Sequence, residues 1–293
     1  MTASIDGLPE VRRALLAWHR RHGMRAPWRE SGDPYQALVA ATMGQQTQMS
    51  RVIERYERFI ARYPTLEALA AASAGDVIRA WRGMGYNRRA VALHRAARRI
   101  AAEGWPRDAA GLSRIDGIGP FTAAIVSSFA FGSPDACIDT NVRRVLTRLA
   151  GDPAMRPAAL RALAGAALAR RSPARWNQAL MDYGARVCTA RPQCAACCVA
   201  RWCRSAGAVD PPSRARGAAR SQEPYHGSVR YYRGRIVDAL RTLPRGRSVA
   251  VAELARKAGC GRRQAAALVA ALERDGLART TRRNGEMRAS LPQ

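Results

Sequence analysis

Lysine is almost absent from this sequence. Lys257 is the only lysine among the 49 basic residues, and none precedes it. An enzyme that forms a Schiff base with its substrate needs a side-chain amine for that step. Lysine-based covalent catalysis is therefore excluded for the chain before residue 257.

Acidic residues are scarce as well. The chain has 22 acidic and 49 basic residues, so the net charge is +27 and the isoelectric point is about 11.4. A positive excess of this size indicates a polyanionic partner, and it favours nucleic acid over a membrane surface. The sequence has neither an apolar run of about 18 residues nor a signal-peptide pattern at its start. We therefore expect a cytoplasmic, nucleoid-associated protein with no membrane partner.

Alternating strand patterns are missing from most of the chain. Between Leu8 and Ala206, apolar residues recur every three or four positions, and Gly, Pro or Asp separate the segments. This periodicity predicts an all-α region. Residues 207–222 are rich in Pro, Gly, Ser, Ala and Arg, which predicts a solvated linker. The chain of 293 residues has room for two domains and a small third one.

The pattern changes in residues 223–293. Three helical segments are followed by a stretch that alternates around Asn284-Gly285, a dipeptide typical of a tight hairpin. Three helices and a hairpin predict a small winged helix-turn-helix domain. Its helix around residues 262–271 would face a DNA groove, and the hairpin would form the wing. The alternative is a packing or dimerisation domain with a basic surface.

The cysteines are concentrated in one short segment. Five of the seven lie between Cys188 and Cys203, whereas a disulfide framework would spread them more widely. Clustered thiols indicate a metal site in a reducing compartment. Four of them are separated by gaps of five, two and five residues: Cys188, Cys194, Cys197 and Cys203. Four thiolates can hold zinc or an iron–sulfur cluster, but a zinc ribbon usually has two pairs spaced C-x2-C and only one is present.

A glycine turn lies between two helical patterns at Gly117-Ile118-Gly119. Glycine permits positive φ and close approach of the backbone to another surface. Amides at the start of the following helix can hold a DNA phosphate without regard to base sequence. About twenty residues later, Asp139 precedes another helix, where its ordinary role is an N-cap.

The glycine turn, the downstream aspartate and the four-cysteine loop occur together in that order. This combination resembles the helix–hairpin–helix DNA glycosylase superfamily, in particular the branch that contains endonuclease III and the MutY-type adenine glycosylases. The resemblance runs from about residue 8 to 206 and includes "PWRESGDPYQALVAATMGQQTQMSRVIERYERFIARYPT", "WRGMGYNRRAVALHRAA", "IDTNVRRVL" and "WNQALMDYGARVCTA".

The resemblance implies a fold of two α-helical lobes around a cleft that takes the DNA. In residues 1–206, a six-helix lobe with the helix–hairpin–helix would span 33–145, and an iron–sulfur lobe would combine 1–32 with 146–206. The four cysteines would hold a 4Fe–4S cluster, although their first gap is one residue shorter than the family's. Cys197 keeps the second and third gaps, and Cys198 is the alternative ligand.

The resemblance also implies the chemistry. Enzymes of this family flip one nucleotide out of double-stranded DNA and break its glycosidic bond. Asp139 matches the catalytic aspartate, whose carboxylate stabilises the positive charge that develops on the sugar. Gln45, Gln46 and Tyr86 match positions that wedge into the duplex at a mismatched or damaged base. For Tyr86 the alternative is core packing. We expect the protein to be a monomer.

Two positions depart from the family pattern. Phe121 stands where bifunctional members have the lysine that leads to strand cleavage, so a monofunctional hydrolase is expected and a lyase is the weakest hypothesis. Ala41 stands where adenine glycosylases have a glutamate that protonates the leaving base. The excised base could therefore be adenine, or it could be uracil or thymine, which can leave as a delocalised anion. A DNA lesion-binding or regulatory protein that has lost catalysis is the alternative to an enzyme.

Overall fold

The computed structural model describes residues 4–208 and 224–293. The predicted linker, 207–222, lies outside the described residues apart from its first two positions. Packing divides the described chain into two compact units. The first unit comprises residues up to 41, Pro106–Arg114 and 119–208, and the second comprises Thr42–Trp105, Ile115–Ile118 and 224–293.

This division differs from the predicted lobes. Residues 33–41, 106–114 and 119–145 join the first unit, whereas the sequence placed them in the six-helix lobe. The C-terminal segment packs with residues 42–105, although the sequence suggested a separate domain. The physical reason for the second difference is an apolar core that the C-terminal segment shares with two helices of that range, described below.

Every regular element within residues 4–208 is a helix, as predicted. In chain order the α-helices are α1 (Leu8–His22), α2 (Pro27–Glu30), α3 (Pro34–Gly44), α4 (Met49–Arg62), α5 (Leu66–Ala71), α6 (Ala74–Ala80), α7 (Arg88–Glu103), α8 (Ala109–Leu112), α9 (Pro120–Phe131), α10 (Thr140–Leu149), α11 (Pro157–Ala167) and α12 (Pro173–Arg186). Short 3-10 helices follow at Cys194–Ala196 and Ala200–Trp202. None of the helices in the described ranges is long and apolar enough to cross a membrane.

The core of the first unit lies between α1, α10, α11 and α12. Helix α10 contributes four buried residues at the spacing of one helical face: Val142, Val145, Leu146 and Leu149. Burial of each such side chain stabilises the fold by about 1.5–3 kcal/mol. This packing fixes the direction of α10 and therefore the position of its first turn.

An ion pair ties α2 to α12. Arg29 donates two hydrogen bonds to the carboxylate of Asp182, at 2.7 and 2.9 Å, and the Met24 amide donates a third at 2.8 Å. Burial by itself would raise the pKa of Asp182. His19, whose Nε2 lies 3.4 Å from the Asp182 Oδ2, and the hydrogen bonds from Arg29 together outweigh burial and lower that pKa to about 2.

The C-terminal segment begins with α13 (Val229–Arg241) and β1 (Val249–Ala250), followed by α14 (Val251–Ala258), α15 (Arg262–Arg274), β2 (Arg279–Arg283) and β3 (Glu286–Ser290). The strands form an antiparallel sheet in the order β1-β3-β2. Asn284 and Gly285 join β2 to β3 with φ of 50° and 73°. Two positive φ angles in a two-residue loop suit the right-handed twist of a hairpin, so the predicted hairpin is confirmed.

The C-terminal helices share their core with α6 and α7. Ile78 of α6 and Val91 of α7 are buried in the same cluster as the apolar faces of α13, α14 and α15. Arg241 of α13 reinforces this contact, since it donates to the Ile78 carbonyl at 2.9 Å and to the Asn87 side chain at 2.8 Å. Within the second unit, the segment is thus packed onto the helices that carry the residue 81–87 turn.

Candidate active site

Asp139 is the N-cap of α10, as its place in the sequence suggested. Its Oδ1 accepts the Val142 amide at 2.7 Å, and its Oδ2 accepts the Nδ2 of Asn141 at 3.1 Å. The half-buried carboxylate is therefore held by two donors. The capping role and a catalytic role are compatible, because the bonds that close the helix also fix the direction of the carboxylate.

Asn141 and Arg144 lie three residues apart on α10, and Arg144 holds the Asn141 side chain that donates to Asp139. Arg144 donates to the Asn141 Oδ1 at 2.7 Å, and also to the carbonyls of Gly184 and Cys188, each at 2.6 Å. The Asn141 amide is thereby oriented with its amino group toward the carboxylate. Sequence reasoning missed both residues, although their i,i+3 spacing after the aspartate is a usable signal.

Ala41 and Phe121 lie in an apolar patch of the first unit. Both pack against the buried residues Ala124, Ile125 and Cys137. The Cys137 thiol is fully buried, and burial raises its pKa well above the usual value, with Asp135 and Asp139 raising it further. Ala41 therefore presents a methyl group and Phe121 a ring, and neither position supplies a proton or an amine.

The glycine turn precedes α9 as predicted. Gly117 has φ of 92°, and a Cβ at this position would lie 2.7 Å from the Cβ of Ala92 in α7. Both the backbone angle and the close approach therefore require glycine there. Gly119 is the N-cap of α9 with an ordinary φ of −76°, and Pro120 follows it. The Ile118 side chain is buried, so this residue offers only its backbone to a phosphate.

The three predicted wedge residues belong to the second unit. Gln46 is exposed and has φ of 52°, whereas Gln45 is half-buried. Tyr86 has φ of 42° and is 56% exposed, so the alternative of core packing does not hold for its side chain. A positive φ at a non-glycine residue is uncommon and is found preferentially at functional sites.

The four predicted cysteine ligands line one pocket in the first unit. The Tyr183 hydroxyl donates to the Cys197 sulfur at 3.0 Å, and Arg148 lies 3.4 Å from the Cys188 sulfur. Donors directed at sulfur suit thiolate ligands. Cys198 is exposed, its amide donates to the same Tyr183 hydroxyl at 3.1 Å, and it does not line the pocket. Among the described residues, however, no three His, Cys, Asp or Glu side chains are arranged to hold a metal ion.

Comparison with known proteins identifies the family. A model described as the HhH-GPD superfamily base excision DNA repair protein matches residues 39–165. The adenine DNA glycosylase of Mycobacterium tuberculosis H37Rv is 40% identical over 238 residues, which cover 78% of this chain and 77% of that protein. The adenine DNA glycosylase of Mycolicibacterium smegmatis is 42% identical over 237 residues, with 78% and 79% covered. The chain belongs to the HhH-GPD superfamily.

The fold agrees with that of a solved DNA glycosylase. The structure of a thermostable thymine-DNA glycosylase matches with a TM-score of 0.64 and 25% identity, over 68% of this chain and 96% of that one. Family membership and the similar enzymes make this chain a DNA N-glycosylase, a hydrolase of base excision repair. The predicted family and enzyme class are thereby confirmed.

Proposed function

We propose that the chain is a monofunctional glycosylase in which Asp139 promotes hydrolysis of the bond between a base and its deoxyribose. The observation that supports this role most directly is the Asp139 carboxylate, held by the Val142 amide and the Asn141 side chain. As the C1′–N bond breaks, the base takes the bonding electrons and the sugar becomes cationic. A fixed carboxylate stabilises that charge. Water then bonds to C1′, and its proton passes to the departing base or to solvent.

The absence of strand cleavage follows from Phe121. In bifunctional relatives an amine at this position attacks C1′, but here an aromatic ring packs against Ala124 and Ile125. No lysine precedes Lys257, so the glycosylase region cannot supply the amine from elsewhere. We expect an intact abasic strand as the product.

Adenine is the first candidate for the excised base. The two mycobacterial enzymes that are about two-fifths identical to this chain are adenine DNA glycosylases. The partner would be double-stranded DNA in which adenine lies opposite guanine or 8-oxoguanine. Excision of a purine benefits from an acid that protonates the ring, and Ala41 cannot be that acid.

A mismatched pyrimidine is the second candidate, and Ala41 favours it. The apolar surroundings of Ala41 suit a base that leaves as an anion without proton transfer. The structural similarity to a thymine-DNA glycosylase points the same way. The substrate would then be thymine or uracil opposite guanine.

The cysteine pocket supports a 4Fe–4S cluster held by Cys188, Cys194, Cys197 and Cys203. The bound cluster would rigidly anchor the loop that carries these four cysteines. Arg148 and Tyr183 suit the site because they direct a cation and a hydroxyl toward the sulfur atoms of Cys188 and Cys197.

The C-terminal segment would add a second DNA contact. Arg262 and Arg263 are exposed at the start of α15, and Arg282 and Arg283 are exposed in the hairpin. These are the two elements that a winged helix-turn-helix domain brings to DNA. We infer a monomer that binds duplex DNA through both regions and is associated with the nucleoid.

One experiment separates these candidates. The purified full chain is incubated with duplexes containing adenine opposite 8-oxoguanine, uracil or thymine opposite guanine, or an alkylated base, and then treated with hot alkali. Cleavage only after alkali supports a monofunctional glycosylase, and the reactive duplex identifies the base. Cleavage without alkali contradicts the monofunctional proposal.

The control is Asp139→Asn, which should abolish cleavage by orders of magnitude while duplex binding persists. Activity that survives this change contradicts the role of Asp139. Tight binding with no cleavage of any duplex would instead favour a lesion-binding protein that has lost catalysis.

A further inference from the structure

Arg89, in the first turn of α7, joins two separate turns of the second unit. We call residues 42–47 the glutamine loop and residues 84–86 the tyrosine loop. The Arg89 guanidinium is buried and donates to both. Its acceptors are the carbonyls of Thr42 (3.0 Å), Met43 (3.1 Å), Gln45 (2.5 Å), Met84 (3.0 Å) and Gly85 (3.5 Å) and the hydroxyl of Thr47 (3.2 Å).

Both loops contain a strained residue. Gln46 in the glutamine loop and Tyr86 in the tyrosine loop have positive φ, and within the described ranges the only other non-glycine residue with positive φ is Asn284 in the hairpin turn. Such a conformation is unfavourable for a non-glycine residue and persists only where the surrounding structure enforces it. Arg89 contacts the residues on either side of Gln46 and the residue two before Tyr86, and its Cζ lies 5.2 Å from the Tyr86 ring centre.

The electrostatic surroundings of Arg89 indicate that it fixes the conformation of the loops rather than adding to the stability of the fold. Within the described chain no carboxylate forms an ion pair with it, and its Nε has no hydrogen-bond acceptor. Burial lowers its pKa, and the nearby Tyr86 opposes this effect. A buried cation without a counter-charge is costly, so stability alone does not account for it. Carbonyl groups at the end of α3 compensate in part, because a helix C-terminus carries partial negative charge.

We propose that Arg89 is a positioning residue that holds the glutamine and tyrosine loops in the backbone geometry from which Gln46 and Tyr86 enter DNA. The wedge role of these two residues rests on the proposed function, whereas the effect of Arg89 on the loops rests on the contacts alone. The planar guanidinium supplies donors in a fixed fork that reaches both loops at once. A lysine ammonium in its place is a compact donor and would hold one loop at most.

The first test measures the loops without any substrate. Hydrogen–deuterium exchange is compared for the full-length wild type, Arg89→Met and Arg89→Lys, with peptides that cover residues 42–48 and 82–88. The control is Arg79→Met, since Arg79 lies in the same unit but donates to Asp76 and the Leu243 carbonyl. We expect faster exchange in both peptides for the Arg89 variants and not for the control. Unchanged exchange in either peptide overturns the proposal.

The second test measures unstacking separately from bond cleavage. Single-turnover excision is followed on the reactive duplex of the panel above and on the same target base in a single-nucleotide bulge, which is already unpaired. For Arg89→Met we expect about a 10²-fold loss on the paired duplex and a much smaller loss on the bulge, because misplacement by about 1 Å can cost this much. If Arg89→Met does not fold, Arg89→Lys is used. Equal losses on both substrates overturn the proposal in favour of a purely structural role.

Gln46→Ala and Tyr86→Ala distinguish failure of the inference from failure of the proposed function. If both variants retain full activity on the paired duplex, the wedge assignment is wrong, and the exchange experiment alone decides the role of Arg89. If they lose activity on the paired duplex and Arg89→Met does not, the wedge assignment stands and the positioning role of Arg89 is refuted.

Discussion

The Nδ2 of Asn141 lies 3.1 Å from the Oδ2 of Asp139, and the Oδ1 of the same asparagine accepts from Arg144 at 2.7 Å. Asn141 is thus held at both ends of its amide. The Asp139 carboxylate is therefore positioned by residues of its own helix, and this arrangement can be perturbed without removal of the carboxylate.

Asn141→Ala should lower the single-turnover excision rate by about 10²-fold, because Asp139 loses one of its two donors and Arg144 loses one of its three acceptors. Binding of the duplex should change little, since the charge of Asp139 remains. The measurement is a single-turnover time course beside a fluorescence anisotropy titration. A wild-type rate in this variant would mean that the Val142 amide alone positions the carboxylate.

Gly184→Ala should destabilise the first unit and reduce excision. An added Cβ would meet the Cβ of Asn141 at 2.7 Å and its carbonyl oxygen at 2.8 Å, so α10 and α12 would have to separate. The matched control is Gly165→Ala in α11, where a Cβ meets nothing within 4 Å. That control should be stabilising by about 0.5–1 kcal/mol, the usual preference of a helix for alanine over glycine. Thermal unfolding checks both signs, and a raised melting temperature for Gly184→Ala would contradict the close packing of the two helices.

Stability should decrease in acid as Asp182 takes up a proton. The folded-state pKa of Asp182 is about 2, below the ordinary 3.8, so its contribution is fully present above pH 3.8 and is lost as the pH falls toward 2. A shift of this size corresponds to about 2 kcal/mol. Urea unfolding of the wild type and Asp182→Asn at pH 7 and at several pH values between 4 and 2 measures it. The variant should be less stable than the wild type at pH 7, and its free energy of unfolding should change less between pH 4 and 2. If the two proteins lose stability in parallel across this range, the lowered pKa of Asp182 is refuted.

Cys194→Ser should remove the visible absorbance of a brown iron–sulfur protein, whereas Cys198→Ser should keep it. The reason is that Cys194 lines the pocket and Cys198 is exposed outside it. Purified variants are compared by absorbance and by iron and sulfide content. A colourless wild-type protein that contains zinc would contradict the iron–sulfur cluster. Loss of absorbance in Cys198→Ser would mean that Cys198, and not Cys197, is the third ligand.

The sequence predicted those features that depend on local chemistry. Asp139 before an apolar helix predicted an N-cap, and Asn284-Gly285 predicted a hairpin, because each depends on the backbone preferences of a few neighbouring residues. The cysteine spacing selected Cys197 over Cys198, and the pocket contains Cys197. The family assignment depended on the order of such local motifs along the chain, which folding does not alter.

Other features could be recognised only from packing. Nothing in "YNRRAVAL" distinguishes Arg89, which is buried against the carbonyls of two loops, from Arg88, which is exposed. Likewise, the C-terminal segment looked like a separate domain, because its helices have their own apolar periodicity. Its attachment to α6 and α7 depends on the shapes of the buried faces around Ile78 and Val91.

By itself, the sequence determined the helical architecture, the family, the place of Asp139 before a helix and the lack of lysine before residue 257, since residue type and short spacing decide these. Only the tertiary structure decided which groups hold Asp139 in place, that Tyr86 is exposed on strained backbone, and that one buried guanidinium joins the two loops. Those relations arise between residues that are distant along the chain. They depend on distances and burial, which a linear pattern does not encode.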